Sequence, residues 1–298
     1  MTFFSELAFL AAVPVAAAAG LTGYFLALRG QVFTADALGH TAYTGAFAAL
    51  LAGIDLRAGL FAATVSAAVL MGVLGRRGQP DDVVVGSLFA WILGLGAFFQ
   101  AIYTSGESTG RGNAGVAVLF GSIFGVSAAH AWVAAIISIV ISLAVLLIAR
   151  PLLFASFDEA TAAAKGVPVR LVGLGFLALV GACAAEAAQV VGALLLLGLL
   201  AAPGGAARLL TIRPYHGLAL AAGLAIGEVS AGLALSLAVP TIPPSFAIMA
   251  VAALVYAGAA TFHAARLRDR WRLKAGSREL ITRQHAATPG QGPGADGY

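Results

Sequence analysis

Charged side chains are scarce in this 298-residue chain, with 17 Lys+Arg and 13 Asp+Glu, 10% of residues against 60% that are hydrophobic. A soluble domain carries roughly 25% charge, so this chain has too little polar surface to hold a compact fold of its size in water. The same apolar content excludes intrinsic disorder. Cysteine occurs once, at Cys183, which excludes a disulfide scaffold and leaves the redox compartment unread. The 37 glycines have no period of three, which excludes a collagen-like chain. Lysine occurs only as Lys165, before Gly166, and Lys274, before Ala275, so there is no phosphate loop ending in Gly-Lys-Ser/Thr and the chain does not bind ATP in that way by itself. No His-Glu-x-x-His or Cys-x-x-Cys pair supplies a closed metal centre for an enzyme.

What is abundant is apolar sequence in long runs. A membrane-spanning helix needs about 20 apolar residues, and the stretches 8–28, 37–54, 58–75 and 83–104 qualify. The tract 171–207 is interrupted only by Glu186, where we expect a turn between two spans, and 214–266 is divided by Pro240, Pro243 and Pro244. One span together with a half-inserted or surface segment is assigned to 114–149. The total is nine spans, within a range of eight to ten, and the fold class is an all-α polytopic transmembrane bundle. With nine, every Lys and Arg except Arg57 and Arg111 faces one side, the cytoplasmic one by the positive-inside rule. The first span has no preceding Lys or Arg and is expected to be a retained helix rather than a cleaved signal. Residues 1–265 form the transmembrane domain. Residues 266–298 form a basic cytoplasmic tail, disordered over 288–298. The sequence pI near 9.6 is explained by that orientation, so no nucleic-acid partner is expected.

Ionisable groups inside a membrane cost at least ~2.5 kcal/mol on insertion scales and mark function or a partner. Asp36 and His40, four residues apart, share one helix face. Carboxylate and imidazole together suit a divalent transition ion such as zinc, manganese or iron. The alternative is that Asp36 caps the helix N-terminus and His40 is only hydrogen-bonded. His40 stands only ~10 Å inside the cytoplasmic edge, unless an unwound start over 30–34 lifts the pair toward the midplane. Glu228 sits midway along a span, either as a further ligand of the metal path or as a neutral carboxyl hydrogen-bonded to another helix. Glu186 either lines an outer entrance or is solvated there. His130, His216 and His263 fall near span ends, and Cys183 reads as an apolar filler. Gly121-x-x-x-Gly125 and Gly223-x-x-x-Gly227 would permit close helix approach.

The cytoplasmic loop 150–170 contains a short helix by its capping pattern. Ser156 is the expected N-cap, Asp158 and Glu159 lie in the first turn, Lys165 in the last, and Gly166 ends it before Pro168. Such a helix is either an interfacial ornament or a dock for an ATPase partner.

These residues resemble the membrane permeases of manganese, zinc and iron ABC importers. The resemblance is carried by Thr34-Ala35-Asp36-Ala37-Leu38-Gly39-His40-Thr41-Ala42 with Gly45, and by Asp81-Asp82-Val83-Val84-Val85-Gly86. Two more blocks follow: Phe157-Asp158 through Ala164-Lys165-Gly166-Val167, and Val191-Gly192-Ala193-Leu194-Leu195 leading to Ala201-Ala202-Pro203-Gly204-Gly205-Ala206-Ala207-Arg208. It covers residues 10–265. It departs from the family pattern at Gly121-Ser122, where an acid often follows the glycine, and at Gly204-Gly205. The resemblance implies a multi-pass plasma-membrane (inner-membrane) protein that is not an enzyme and binds no cofactor beyond the transported metal ion. It implies a homodimer in the lipid bilayer with two ABC ATPase subunits and an extracellular metal-binding solute-binding protein. It further implies that Asp36 and His40 pass the metal, while Phe157, Asp158, Glu159, Lys165 and Gly166 couple the ATPase. The rival readings are a permease for a metal chelate or vitamin, and a proton-coupled secondary carrier using Glu228.

Overall fold

A computed structural model describes residues 2–75, 78–105, 118–119, 121, 125, 127–193 and 196–287. The described residues hold ten helices and no strand: α1 (Thr2–Leu28), α2 (Val32–Ala52), α3 (Leu56–Leu74), α4 (Asp82–Thr104), α5 (Ala128–Phe157), α6 (Glu159–Ala164), α7 (Val169–Val191), α8 (Leu196–Leu210), α9 (Pro214–Ala238) and α10 (Pro244–Ala287). The polytopic all-helical architecture is as expected. Seven of the helices, α1, α3, α4, α5, α7, α9 and the first part of α10, are long and apolar enough to cross a membrane. The remaining two of the nine expected spans fall short for separate reasons. With 21 residues α2 has the length, but Thr34, Asp36, His40, Thr41 and Thr44 dilute its apolar character, and α8 has only 15 residues.

The expected break at Glu186 is absent. The alanine-rich run 184–188 favours helix, so α7 continues through it and stops at Gly192, whose φ of 99° is open to a residue without a Cβ. The loop 150–170 is also shorter than expected, because α5 runs on through Phe157 with Pro151 inside it. Ser156 therefore lies within α5, its hydroxyl donating to the Leu152 carbonyl at 2.6 Å, and Asp158 is the N-cap of α6. The expected surface segment lies mostly outside the described residues, as do Arg76, Arg77, Arg111 and the terminal 288–298.

Helix α1 is the centre of the bundle, packing on α5, α7, α8 and α9. Lipid supplies little hydrophobic drive between helices, so contact depends on backbones meeting at small residues. A Cβ on Gly23 would stand 1.9 Å from the Leu200 carbonyl oxygen, and one on Gly204 would stand 2.4 Å from that of Gly23. The α1–α8 crossing is thus glycine on glycine. Gly223 and Gly227, by contrast, face open space, and Gly121 is not on a helix but abuts the Val190 carbonyl oxygen, so neither glycine pair works as expected. We expect Gly23→Ala to lower stability by about 1–3 kcal/mol through overpacking. The check is a lower melting temperature of the detergent-solubilised protein, with Gly223→Ala, which meets nothing, as the neutral control.

Candidate functional site

The head of α2 is set by the turn before it. Gly30, at φ 69°, closes α1 with its N–H directed to the Ala27 carbonyl, while the N–H of Gln31 reaches back to Leu26 at 2.8 Å. This paired bonding is the usual glycine-terminated helix end. Helix α2 starts directly afterwards, with Gln31 at its N-cap, so the expected unwound start is not present beyond the turn. Asp36 falls in the second turn of α2, too far along to cap it. Asp36 and His40 are both half-buried, one turn apart, between the buried Ala35, Ala37, Leu38 and Gly39.

Helix α4 borders that face. The His40 ring meets Phe89 edge to face with centroids 5.0 Å apart, and Phe33 meets the same ring at 6.0 Å. One turn beyond His40, the Thr44 hydroxyl donates to the Ile92 carbonyl at 2.9 Å, and the Tyr43 hydroxyl donates to Gln100 Oε1. Phe89 therefore fixes one side of the imidazole. The other face of α4 is uncovered, with Val83, Trp91 and Phe98 exposed. Among the described residues, no three His, Cys, Asp or Glu side chains gather, so neither Glu186 nor Glu228 completes a ligand set with Asp36 and His40.

Glu186 is neither an entrance nor solvated. It is buried inside α7, 3.4 Å from Nε of Arg57 on α3. The same guanidinium donates from Nε to Gln189 Oε1 at 3.1 Å and from Nη2 to the His130 carbonyl at 3.3 Å, tying α3, α7 and α5 together. A cavity of about 490 Å³ lies beside it, lined by Arg57, Ser127, His130 and Gln189 among apolar side chains. The His130 ring meets Ser127 at 2.7 Å and His263 meets the Leu209 carbonyl at 2.9 Å, and both lie near the ends of apolar spans as expected. Glu228 is buried in α9, and neither of its carboxylate oxygens has a hydrogen-bond partner, so the interhelical bond expected for a neutral carboxyl is not made. Cys183 is buried against Thr22 at 3.5 Å.

The residues of the short helix separate by side. Phe157 is exposed, while Ala162 is buried. The Thr161 hydroxyl and then its N–H donate to Asp158, holding that carboxyl below the usual range. At the other end Lys165 lies over the Phe154 ring at 5.6 Å, and Gly166, at φ 82°, terminates the helix. Glu159 turns inward, its Oε1 buried. It acts on Arg29, a residue that reads in sequence only as an orientation charge. Desolvation lowers the Arg29 pKa to about 10, against the opposing attraction of Glu159. Arg57, Arg29 and Gln189 carry no motif, and only their three-dimensional partners distinguish them.

A bundle with a carboxylate–imidazole helix face and a short capped helix has relatives. Residues 2–263 match the sequence profile of the ABC 3 transport family. The chain belongs to that family. Its ABC 3 relatives include the manganese transport system membrane protein MntC of Halalkalibacterium halodurans, 31% identical over 227 residues, 75% of each chain. The chelated iron transport system membrane protein YfeC of Yersinia pestis is 29% identical over 218 residues, 72% of this chain and 71% of that one. Among solved structures, PsaBC from Streptococcus pneumoniae in complex with Fab has the same fold, with a TM-score of 0.73 at 23% identity over 86% of this chain and 90% of that one. This ABC 3 chain is accordingly a multi-pass transport protein of the membrane-permease type.

Proposed function

We propose that this chain is the membrane-spanning permease of an ABC importer for divalent transition metal ions, zinc, manganese or iron, and that it works by alternating access driven by a separate ATPase subunit. The observation that carries the reading is the half-buried Asp36–His40 pair on one face of α2, beyond the reach of helix capping. One carboxylate and one imidazole are too few ligands for a divalent ion, which takes four or more. A second copy, meeting this one across the uncovered side of α2 and α4, would double the set. The proposal therefore includes a homodimer, with α2 and α8 completing nine crossings and the C-terminal tail 266–298 following the domain 1–265 on the cytoplasmic side. The exposed Phe157, with Asp158, Lys165 and Gly166, would meet the ATPase, and an extracellular solute-binding protein would deliver the ion. Glu186 and Glu228 take no part in holding it.

The relatives' names support manganese or iron, and that of YfeC keeps a chelate as the second reading. A proton-coupled carrier using Glu228 would need no ATPase. The test is to express the chain with its cognate ATPase and binding protein and to measure cellular zinc, manganese and iron together. Accumulation of one free ion, lost when the ATPase is omitted, is expected. Uptake only in the presence of a chelator would move the substrate to the second reading, and uptake without the ATPase would overturn the proposal.

A further inference from the structure

We propose that positions 266–274, where α10 leaves its apolar span, form a basic collar that binds the headgroups of anionic phospholipids. The helix does not stop with the span: α10 runs to Ala287, while its membrane-crossing part ends at Arg266. Arg266, Arg268, Arg270, Arg272 and Lys274 follow at every second position, and Asp269 is the one acid among them. Orientation in the membrane needs fewer charges than this. No other segment between apolar runs carries more than three Lys and Arg, the richest being the one with Arg150, Lys165 and Arg170. The start of the collar has the character of a membrane–water boundary. Arg266 is exposed, with its guanidinium carbon 4.5 Å from the centre of the exposed Phe262 ring, so an apolar ring and a cation share one site. Arg268 is exposed as well.

The spacing selects the partner. Positions two apart on a helix stand about 200° apart around its axis, so basic positions in this register ring α10 instead of gathering on one face. A protein groove reads a single face, through positions three and four apart. A lipid plane surrounds the helix and meets charge on every side. Depth agrees with the same partner. The polar layer adds roughly 5–8 Å to each side of the hydrocarbon, and a charge in dilute salt is felt over about 10 Å. From Arg266 to Lys274 the helix rises about 12 Å, which keeps the whole collar within that range. Arg278 and Arg283 stand about 18 Å and 26 Å beyond Arg266 along the axis, outside it. Clusters of roughly four to eight Lys and Arg beside a span attract anionic lipid, and guanidinium is the group best shaped to hold a phosphate. The ligand class is therefore a phospholipid of net negative charge, whatever substrate the bundle carries.

The experiment uses the full-length protein in phosphatidylcholine liposomes with traces of phosphatidylglycerol or phosphatidylcholine, each bearing the same acyl-chain nitroxide. The resonance spectrum separates lipid held at the protein from free lipid and so gives their relative association. In dilute salt the wild type should prefer phosphatidylglycerol about fivefold, the factor that one Lys or Arg near the headgroups confers. The preference should vanish at high salt, where screening shortens to about 3 Å. Arg266→Gln, Arg268→Gln, Arg270→Gln, Arg272→Gln and Lys274→Gln together should abolish it in dilute salt. Arg268→Gln with Arg272→Gln, a milder change, should roughly halve it, and Lys at the four Arg positions should keep most of it. Arg278→Gln with Arg283→Gln should leave it unchanged, and inorganic phosphate should compete no better than chloride at equal ionic strength. A wild type without the preference, no loss in the milder pair, an equal loss from the distal pair, or specific displacement by phosphate would each overturn the collar. A five-Gln protein that keeps the preference but no longer co-purifies with a co-expressed ATPase would overturn it too, and assign these charges to a protein partner.

Discussion

Cells carrying the Asp36→Ala, His40→Ala double variant are expected to accumulate no more of the imported metal than cells without the permease. Removing even outer partners of metal ligands costs ~10–100-fold in affinity, so loss of both ligands should reduce uptake by at least about 100-fold. The fold should survive, because neither side chain is in the core and the packing of α2 rests on Ala35, Leu38, Ala42 and Ala46. Metal analysis of whole cells together with size-exclusion of the purified variant reads both properties. The single variants should each retain part of the activity, His40→Ala the less if the ion is zinc, for which imidazole is the preferred of the two ligands. Normal accumulation by a well-folded double variant would remove Asp36 and His40 from the metal path.

The second large effect is on stability. Arg57→Ala should lower it by about 3–5 kcal/mol, because it leaves the Glu186 carboxylate buried without its counter-ion. The loss should show as a fall in melting temperature and in the yield of detergent-stable protein. Glu186→Gln should cost less, since it removes the buried charge while Arg57 keeps its bonds to Gln189 and the His130 carbonyl. Arg57→Met with Glu186→Leu should recover most of the stability lost in Arg57→Ala, as replacing both members of a buried pair by apolar groups is often neutral. A double variant no more stable than Arg57→Ala would show that the bonds of Arg57 to α5 and α7, rather than the compensated charge, hold this end of the bundle. The adjacent 490 Å³ cavity gives the melting experiment a further readout, since collapse around the orphaned carboxylate would bury Ser127 and His130, now exposed at its edge.

The membrane class and the positions of the long apolar helices α1, α3, α4, α9 and the first part of α10 were legible from composition and run length, which are local and additive along the chain. The Asp36–His40 pair was legible for the same reason, since a spacing of four defines a shared face whatever surrounds it. Ends and partners were not. Ser156 and Asp158 are both good caps, and the choice between them depended on how far α5 extends before the chain turns. Glu186 offered itself as a break because it is the sole charge in an apolar tract, yet Arg57, more than a hundred residues earlier, compensates it inside the helix. In the sequence Arg29 and Arg57 look alike, as single charges between apolar runs. Run length and helical spacing, being properties of neighbours in sequence, are enough to make this chain a polytopic bundle with one metal-suited helix face. Which charges are buried follows from where backbones approach, at contacts such as Gly23 on Gly204, and contacts between distant segments leave no local pattern to read.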